Sequence, residues 1–334
     1  MTPIRLAILG SGLFVRDAHL PALKTLSDSF EVVAIYGRNA GTAESLAATL
    51  PGTVDIYTDL AAVLARTDID AVDVVMPIAQ QPEVVTDALK ARKHVISEKS
   101  IAPSLPAGQR LLNTARVLTA ESGRIWMVAE NWRYEVAYQK AGDTIRSGDI
   151  GQPIQFNWAT AVEIAQTADY NKPWLRDNSV PGGFILAGGV HNVAAMRLVM
   201  GEIASVGAFV TQVRPDLPPI DTLSATFRFD SGAFGSWTMT YATGSPWDNP
   251  IQILGSSGAL LVNRKQLDIF TQGERRSYSF DVNSIYEELA DFARVINGEP
   301  LRNSPEQALQ DVAVIHAILE SARTGCAVQP ERIV

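Results

Sequence analysis

The fold class of this chain is decided by the stretch IRLAILGSGLFV, residues 4–15. Five of its first six residues are apolar, as is typical of a buried strand, and Gly10 and Gly12 separate this strand from a segment of helical character. In such a strand–turn–helix unit the first glycine allows a sharp turn, and the second lets the backbone approach a pyrophosphate. Val15 stands at the third position of the usual G-x-G-x-x-G/A pattern. The stretch predicts a dinucleotide-binding loop. Its predicted cofactor-binding residues are Gly10, Ser11, Gly12, Leu13 and Phe14.

Strands and helices alternate along the first 130 residues. Apolar strand-like runs recur at 31–36, 54–57, 71–76, 94–97 and 125–129, and segments of helical character, the first from about Asp17 to Leu26, separate them. This alternation is typical of a parallel sheet with right-handed crossovers. We therefore predict an α/β fold whose N-terminal domain, residues 1–130, is a doubly wound Rossmann sheet.

The pattern changes after residue 130. A long strand from Pro153 to Glu163 is followed by a helix from Phe184 to Met200 and by three strand-like runs between residues 204 and 241. Asp230-Ser231-Gly232 supplies a hairpin turn between the last two of these runs. Helices from Ile285 to Asn297 and from Pro305 to Thr324 finish the chain. We predict a second domain, residues 131–334, of α+β type with a mostly antiparallel open sheet.

The composition excludes several classes of function. The 28 Lys and Arg against 36 Asp and Glu give a net charge of −8, and no basic block offers phosphate contacts to a nucleic acid. No apolar run approaches the roughly 20 residues that cross a bilayer. Cys326 is the only cysteine, so neither an internal disulfide nor a cysteine-based metal cluster is expected. These features predict a cytoplasmic protein without nucleic-acid or membrane partners and without a bound metal.

The end of the second predicted strand favours one nicotinamide cofactor over the other. An acidic residue at this point would bond the ribose 2′-hydroxyl of NAD, but the run here is Ile-Tyr-Gly-Arg-Asn, residues 35–39. Arg38 can instead meet a 2′-phosphate, with Gly37 beside it. We predict NADP as the cofactor, with NAD as the less favoured alternative.

Two side chains are the best candidates for proton chemistry. Lys99 lies just past a predicted buried strand, and His191 lies on a glycine-punctuated helix. Oxidation of an alcohol needs a base for the hydroxyl proton, and histidine titrates near neutral pH. Lys99 can share that role or polarise the carbonyl oxygen. We predict both as catalytic residues.

These pieces, in this order and spacing, resemble the Gfo/Idh/MocA family of oxidoreductases over nearly the whole chain. Besides the glycine loop, the matching pieces are Glu98-Lys99, Asn131-Trp132-Arg133, the turn at residues 147–151, and Gly182-Gly183 leading to Gly189-Val190-His191. The resemblance implies a Rossmann domain followed by a domain whose open sheet covers the active site and often builds the oligomer interface. It therefore implies a homodimer or homotetramer formed through the C-terminal sheet.

The resemblance also assigns residues of the Rossmann domain and its border. It implies that Lys99 contacts the reacting oxygen and the cofactor, with Ser100 in place of the family's proline. The family's frequent histidine after the fourth strand is replaced by Gln81 in the run that begins at Pro77. The further cofactor-binding residues that it implies are Pro77, Gln81, Glu98, Lys99, Asn131, Trp132 and Arg133.

The helix that carries His191 departs from the family pattern. The family's Asp-x-Gly-x-His places two polar residues four apart on one helix face, and Ala187 stands here at the aspartate position. A further family aspartate is replaced by Ala194. The substitution leaves three alternatives. Lys99 and His191 act alone, an acid such as Asp169, Asp177 or Tyr170 takes part, or the chain binds NADP without turnover.

The function expected from these observations is hydride transfer between NADP and a small carbonyl or hydroxyl compound, such as a sugar or polyol. The substrate-binding candidates are Tyr170, Trp174, Arg176 and His191. The alternative is a catalytically weak or inactive NADP-binding sensor or regulatory protein, because the family aspartate is replaced by Ala187.

Overall fold

The computed structural model describes residues 2–164 and 180–334, which form two compact units. Unit 1 comprises residues 1–131 and 284–309, and unit 2 comprises residues 132–283 and 310–334. Each unit contains one large sheet, and the two are described in turn.

The sheet of unit 1 is entirely parallel, with the strand order β3-β2-β1-β4-β5-β6. Its strands are β1 Ile4–Leu9, β2 Phe30–Tyr36, β3 Asp55–Tyr57, β4 Ala71–Val74, β5 His94–Glu98 and β6 Trp126–Ala129. Strands β4 and β6 are buried along their whole length, as expected for a sheet covered on both faces. The predicted Rossmann sheet is confirmed.

Five helices connect these strands, and α5 has a capping signal at each end. They are α1 Leu20–Thr25, α2 Ala40–Ala47, α3 Leu60–Leu64, α4 Gln81–Lys90 and α5 Leu105–Ser122. The side chain of Ser104 caps α5 by accepting a hydrogen bond from the Ala107 N–H. Gly123, with a φ of +68°, ends the same helix in the left-handed conformation.

The first helical segment differs from the expected helix between Asp17 and Leu26. Helical backbone begins at residue 13 and passes through a π-helical turn, Val15–His19, before α1. In this turn the Leu20 N–H bonds the Val15 carbonyl, five residues back. The His19 side chain at the end of the turn is fully buried.

The sheet of unit 2 is mixed, with the strand order β15-β14-β13-β12-β7-β10-β9-β8. Its strands are β7 Pro153–Ala161, β8 Ile203–Thr211, β9 Thr222–Phe229, β10 Phe234–Thr240, β11 Trp247–Asp248, β12 Ile251–Gly255, β13 Gly258–Val262, β14 Gln266–Thr271 and β15 Glu274–Ser279. All neighbours are antiparallel except β7 with β10, and β11 pairs with β7. The predicted mostly antiparallel sheet is confirmed, as is the hairpin between β9 and β10.

Strands β14 and β15 were not predicted from the sequence. Five of the six residues of β15 are exposed, so its residues lack the apolar alternation that marks a half-buried strand. The long strand β7 also ends earlier than expected, at Ala161 instead of Glu163.

The helices of unit 2 include α6 Val136–Arg146 and α7 Gly183–Met200, and a 3-10 turn spans Asn131–Tyr134. Among the described residues, α7 alone is long and apolar enough to cross a membrane, and 78% of it is buried inside the protein. Such burial is typical of a core helix. Gly189 packs against Trp237 of β10, which explains why a small residue occurs there.

The C-terminal part of the chain is divided between the units. Helix α8 spans Ser284–Ile296, and α9 spans Pro305–Thr324. The sequence predicted one boundary near residue 130, whereas the structure also returns residues 284–309 to unit 1. Packing explains this difference, because Phe292 of α8 stacks on Phe30 of β2 with ring centroids 6.3 Å apart.

Candidate active site

The glycine loop after β1 has the backbone geometry of a close-approach turn. Gly10 has a φ of +136° and donates its N–H to the Tyr36 carbonyl at 2.9 Å. A β-carbon at Gly10 would overlap the Val75 carbonyl, whereas one at Gly12 would meet nothing within 4 Å. The fold therefore requires the first glycine, and the second leaves space at the backbone that fits a pyrophosphate.

The end of β2 offers hydroxyl groups and a cation to an anionic ligand. A β-carbon at Gly37 would overlap the Ser11 hydroxyl, which lies 3.1 Å from the Thr42 hydroxyl. Arg38 is exposed, and no carboxylate in residues 2–164 or 180–334 pairs with it. Asn39 caps α2, accepting a hydrogen bond from the Thr42 N–H. This turn contains no acidic side chain, and its chemistry suits a phosphate group.

The segment between β4 and α4 contains an unsatisfied polar atom. Gln81 is buried, and its amide nitrogen donates to the Met76 carbonyl at 3.1 Å. Its amide oxygen has no hydrogen-bond partner in the described part of the chain. Because a buried acceptor without a partner is costly, the Gln81 oxygen fits a donor supplied by a bound molecule. Pro77, four residues earlier, is half-buried.

The carboxyl end of β5 presents the candidate lysine. Glu98 is the last residue of the strand and is buried, and the half-buried Lys99 follows it directly. The peptide bond from Lys99 to Ser100 is cis. Ligands of open parallel sheets bind at the carboxyl ends of the strands, and Lys99 therefore lies at the correct end of unit 1.

A buried ionic cluster adjoins this strand end. We call it the His19 cluster, and it comprises His19, Asp73, Glu98 and Glu288. The Nδ1 atom of His19 lies 2.7 Å from Oδ2 of Asp73, and its Nε2 atom lies 2.9 Å from Oε1 of Glu98. His19, Asp73 and Glu288 were not predicted from the sequence as site residues. The available signal was an aspartate inside the apolar run of β4.

Burial and neighbouring charges shift two pKa values in the His19 cluster. Burial lowers the pKa of His19, but the charges and hydrogen bonds of Asp73 and Glu98 outweigh it and hold the pKa well above its ordinary value. Burial raises the pKa of Glu288 well above its ordinary value, and the Glu98 charge raises it further, against the opposing effect of His19. The two carboxylate contacts therefore favour the charged form of the His19 ring, and burial favours the neutral form of the Glu288 carboxyl.

In unit 2, His191 lies on the accessible strip of α7. This strip consists of the partly exposed residues of the helix, which are Ala187, Gly188, His191 and Leu198. The other residues of α7 are buried. The Trp132 ring stacks on the His191 ring with centroids 5.2 Å apart and planes 17° apart. This contact fixes the plane of the imidazole, and Ala187 offers no carboxylate to it.

The Trp132 ring is itself held by neighbours. The Arg264 guanidinium lies 5.4 Å from the ring centroid, and its Nε atom donates to Glu135 at 2.7 Å. Tyr138 and Trp158 lie 5.9 and 6.1 Å from Trp132, measured between ring centroids. His191 thus faces a ring whose position is fixed by packing.

Two other predicted cofactor residues bond to protein groups within their own units. The side-chain amide of Asn131 donates to the Ser284 hydroxyl at 2.8 Å in unit 1. In unit 2, Arg133 forms an ion pair with Asp311 at 2.6 Å. Their assignment to the cofactor remains a prediction.

Tyr241, which was not predicted from the sequence as a site residue, approaches α7. A β-carbon at Gly188 would collide with the Tyr241 hydroxyl, so that hydroxyl occupies the place of a side chain at position 188. Because residues three apart are neighbours on a helix, this hydroxyl and His191 lie on the same face of α7. Tyr241 is therefore a further polar candidate beside His191.

The proposed substrate residues Tyr170, Trp174 and Arg176 lie outside the described residues, as do the alternative acids Asp169 and Asp177. Among the described residues, no group of three or more His, Cys, Asp and Glu side chains could hold a metal ion.

Comparison with known proteins identifies relatives of both parts of the chain. Residues 4–128 match the oxidoreductase family with an NAD-binding Rossmann fold, and residues 138–261 match the GFO/IDH/MocA C-terminal domain. The dehydrogenase FPY6 of Fusarium mangiferae is 28% identical over 96% of each chain.

Solved structures extend the likeness to the whole chain. An oxidoreductase from Thermotoga maritima is 33% identical, with a TM-score of 0.90 over 98% of each chain. Levoglucosan dehydrogenase in complex with NADH and L-sorbose has a TM-score of 0.89 over 100% of each chain at 21% identity, a likeness of fold alone.

Proposed function

The chain belongs to the Gfo/Idh/MocA family of NAD(P)-dependent oxidoreductases, and from this premise we propose that it transfers a hydride between NADP and a small carbonyl or hydroxyl compound. The observation that carries the proposal is that Lys99 follows β5 at the sheet end that also bears the glycine loop after β1. A sugar or polyol is the proposed substrate class, supported by the fold shared with levoglucosan dehydrogenase, whose complex contains L-sorbose.

Several residues of unit 1 fit the dinucleotide. The backbone at Gly10 and Gly12 would receive the pyrophosphate, and Gln81 would accept a hydrogen bond through its free amide oxygen. Arg38, with the Ser11 and Thr42 hydroxyls close to the same turn, would meet a 2′-phosphate. The bound nicotinamide supplies or accepts the hydride. We propose NADP on the absence of an acidic residue from the turn at 36–39.

The remaining chemistry is proton transfer, and this chain offers two groups for it. We assign to Lys99 the hydrogen bond to the reacting oxygen, because an ammonium group there polarises a carbonyl. We assign to His191 the removal of the hydroxyl proton in oxidation and its return in reduction. Trp132 holds the imidazole plane, and the partial exposure of His191 allows proton exchange with solvent.

The sheet of unit 2 supports a homodimer or homotetramer. The outward face of β9 and β10 presents Ser224, Thr226, Arg228 and Thr238, and Phe209 of β8 is 81% exposed. An exposed face that carries large apolar side chains is typical of a protein interface. The exposed free thiol of Cys326 fits the reducing cytoplasm that the composition predicted.

The test is turnover with a panel of sugars, sugar-derived ketones and polyols, using NADPH and NADP⁺ against NADH and NAD⁺. Lys99→Met and His191→Asn should each lower kcat by about 10²- to 10⁴-fold, because each removes a positioned proton-transfer group. Cofactor affinity of His191→Asn should change little. The control is Lys90→Met, which removes an exposed lysine paired with Asp87 on α4.

Full activity in both site variants would refute the assigned roles. NADPH binding without turnover on any member of the panel would instead favour a cofactor-binding regulatory protein, the alternative suggested by Ala187.

A further inference from the structure

Burying the charged groups of the His19 cluster in the core of unit 1 costs free energy. Charged groups lose their hydration on burial, and well-packed apolar residues of similar size are often as stabilising or more so. Strands β4 and β5 are already paired in register from Ala71–His94 to Val74–Ser97, and do not need an ionic link to associate. The position of the cluster at the active end of the sheet suggests a functional reason for it.

His19 bridges two strand ends with both of its ring nitrogens. Asp73 pairs with Ile96 in the sheet, and Glu98 follows two residues later, so both carboxylates project from the same face. A neutral imidazole carries one N–H and can donate to one carboxylate, whereas an imidazolium donates to both. The two contacts, at 2.7 and 2.9 Å, therefore favour the charged ring.

The same ring also touches the cofactor loop. Phe14, two residues past the second glycine of the loop, packs edge-on against His19 with centroids 5.3 Å apart and planes at 64°. His19 is thus in contact with the segment after β1, the middle of β4 and the last residue of β5. The residue that follows this last contact is Lys99.

We propose that His19 is a positioning residue for Lys99: by bonding Asp73 and Glu98 together it fixes the carboxyl end of β5, and with it the direction in which Lys99 meets the substrate oxygen. This proposal rests on the function proposed for Lys99. It adds a role for a buried residue that touches neither the reacting atoms nor the solvent.

The informative variant is His19→Gln, which keeps an N–H donor of similar reach but loses the charge and the rigid second contact. Glu98→Gln tests the same link from the other side and leaves His19 in place. The matched control is His94→Gln, which alters another buried histidine of unit 1 at the opposite end of β5, where it contacts Arg124.

The first readout does not depend on turnover. Folded protein is pulse-labelled with an acetylating ester, and the labelling rates of Lys99 and the exposed Lys90 are compared by peptide mass spectrometry. His19→Gln and Glu98→Gln should change the Lys99 rate by about threefold or more, as a shift of half a pKa unit or a comparable change in access would. Lys90, and Lys99 in His94→Gln, should be unaffected.

The second readout is the pH profile of kcat. His19 faces Asp73 on β4, Glu98 on β5 and Glu288 on α8, with Glu130 after β6 also close enough to Glu288 to raise its pKa. Because the pKa of His19 is raised, the ring loses its proton at a higher pH than an ordinary histidine does, and activity should decline along that alkaline limb. In His19→Gln this limb should disappear. The kcat should also fall to about a tenth of the wild-type value or below, as expected for a misplaced catalytic group.

A merely structural role predicts a lower Tm with unchanged Lys99 labelling and an unchanged profile in folded His19→Gln and Glu98→Gln, and that result overturns the proposal. A labelling change without turnover on any substrate supports the link from His19 to Lys99 and counts against the proposed function instead.

Discussion

At the residue scale, Arg38 decides the expected choice of cofactor. It is exposed at the end of β2, and no ion pair holds it within the part of the chain that the structure describes. A charge-assisted hydrogen bond to a 2′-phosphate contributes about 1.5–3 kcal/mol, or roughly 10- to 100-fold in affinity.

Arg38→Ala should therefore weaken NADPH binding by about 10- to 100-fold and leave NADH binding nearly unchanged. Fluorescence titration with both cofactors measures the effect, and the NADPH loss should shrink at high salt because exposed charges are screened. Arg110→Ala, which removes an exposed arginine of α5, is the control. Equal losses for the two cofactors would show that Arg38 contacts a part that they share.

At the element scale, the glycines of α7 determine how closely neighbouring side chains approach the helix beside His191. Gly189 admits Trp237, and Gly188 admits the Tyr241 hydroxyl, so the helix and β10 approach closely. The partly exposed strip that carries His191 is consequently bounded by an aromatic hydroxyl and not by a carboxylate.

Gly188→Ala should lower the free energy of unfolding by about 1–3 kcal/mol, because the new methyl group overpacks a filled contact. Combining it with Tyr241→Phe removes the colliding hydroxyl and should recover about 1 kcal/mol or more of coupling in a double-mutant cycle. Urea unfolding of the four proteins measures this.

The control for that cycle is Gly244→Ala, where a β-carbon would meet nothing within 4 Å. It should change stability by no more than about 0.5 kcal/mol. Additive effects of Gly188→Ala and Tyr241→Phe would show that the hydroxyl does not fill the glycine position.

At the scale of the whole molecule, the open sheet of unit 2 is the proposed surface for self-association. Phe209 of β8 and Phe234 of β10 are 81% and 57% exposed. Burying such side chains contributes about 1.5–3 kcal/mol each, and a charge in their place is strongly unfavourable in an interface.

Phe209→Asp combined with Phe234→Asp should convert an oligomer of the wild type to smaller species in light scattering after size-exclusion chromatography. Val117→Asp places the same charge at a 57% exposed position on α5 of unit 1 and should leave the oligomer intact. A wild-type monomer, or an unaltered oligomer in the double variant, would refute the proposed interface.

Much of unit 1 could be predicted locally. A strand with five apolar residues out of six, followed by G-x-G, fixes a turn whatever lies further along the chain, and Gly10 adopts the φ of +136° that only glycine tolerates well. Lys99 and His191 were selected because strand ends and helix faces follow directly from sequence periodicity. Strand β15 could not be found in that way, because its mostly exposed residues carry no such periodicity.

The sequence by itself determined the parallel sheet, the glycine loop, the charged turn at Arg38 and the missing carboxylate at Ala187. Only the tertiary structure decided that His19 joins Asp73 to Glu98, that Glu288 of α8 completes their cluster, and that Tyr241 fills the space at Gly188. The physical reason is the distance along the sequence over which each kind of interaction acts. Backbone periodicity and turn chemistry act over a few residues, whereas the partner of a buried polar group is chosen among residues that folding brings together from distant parts of the chain.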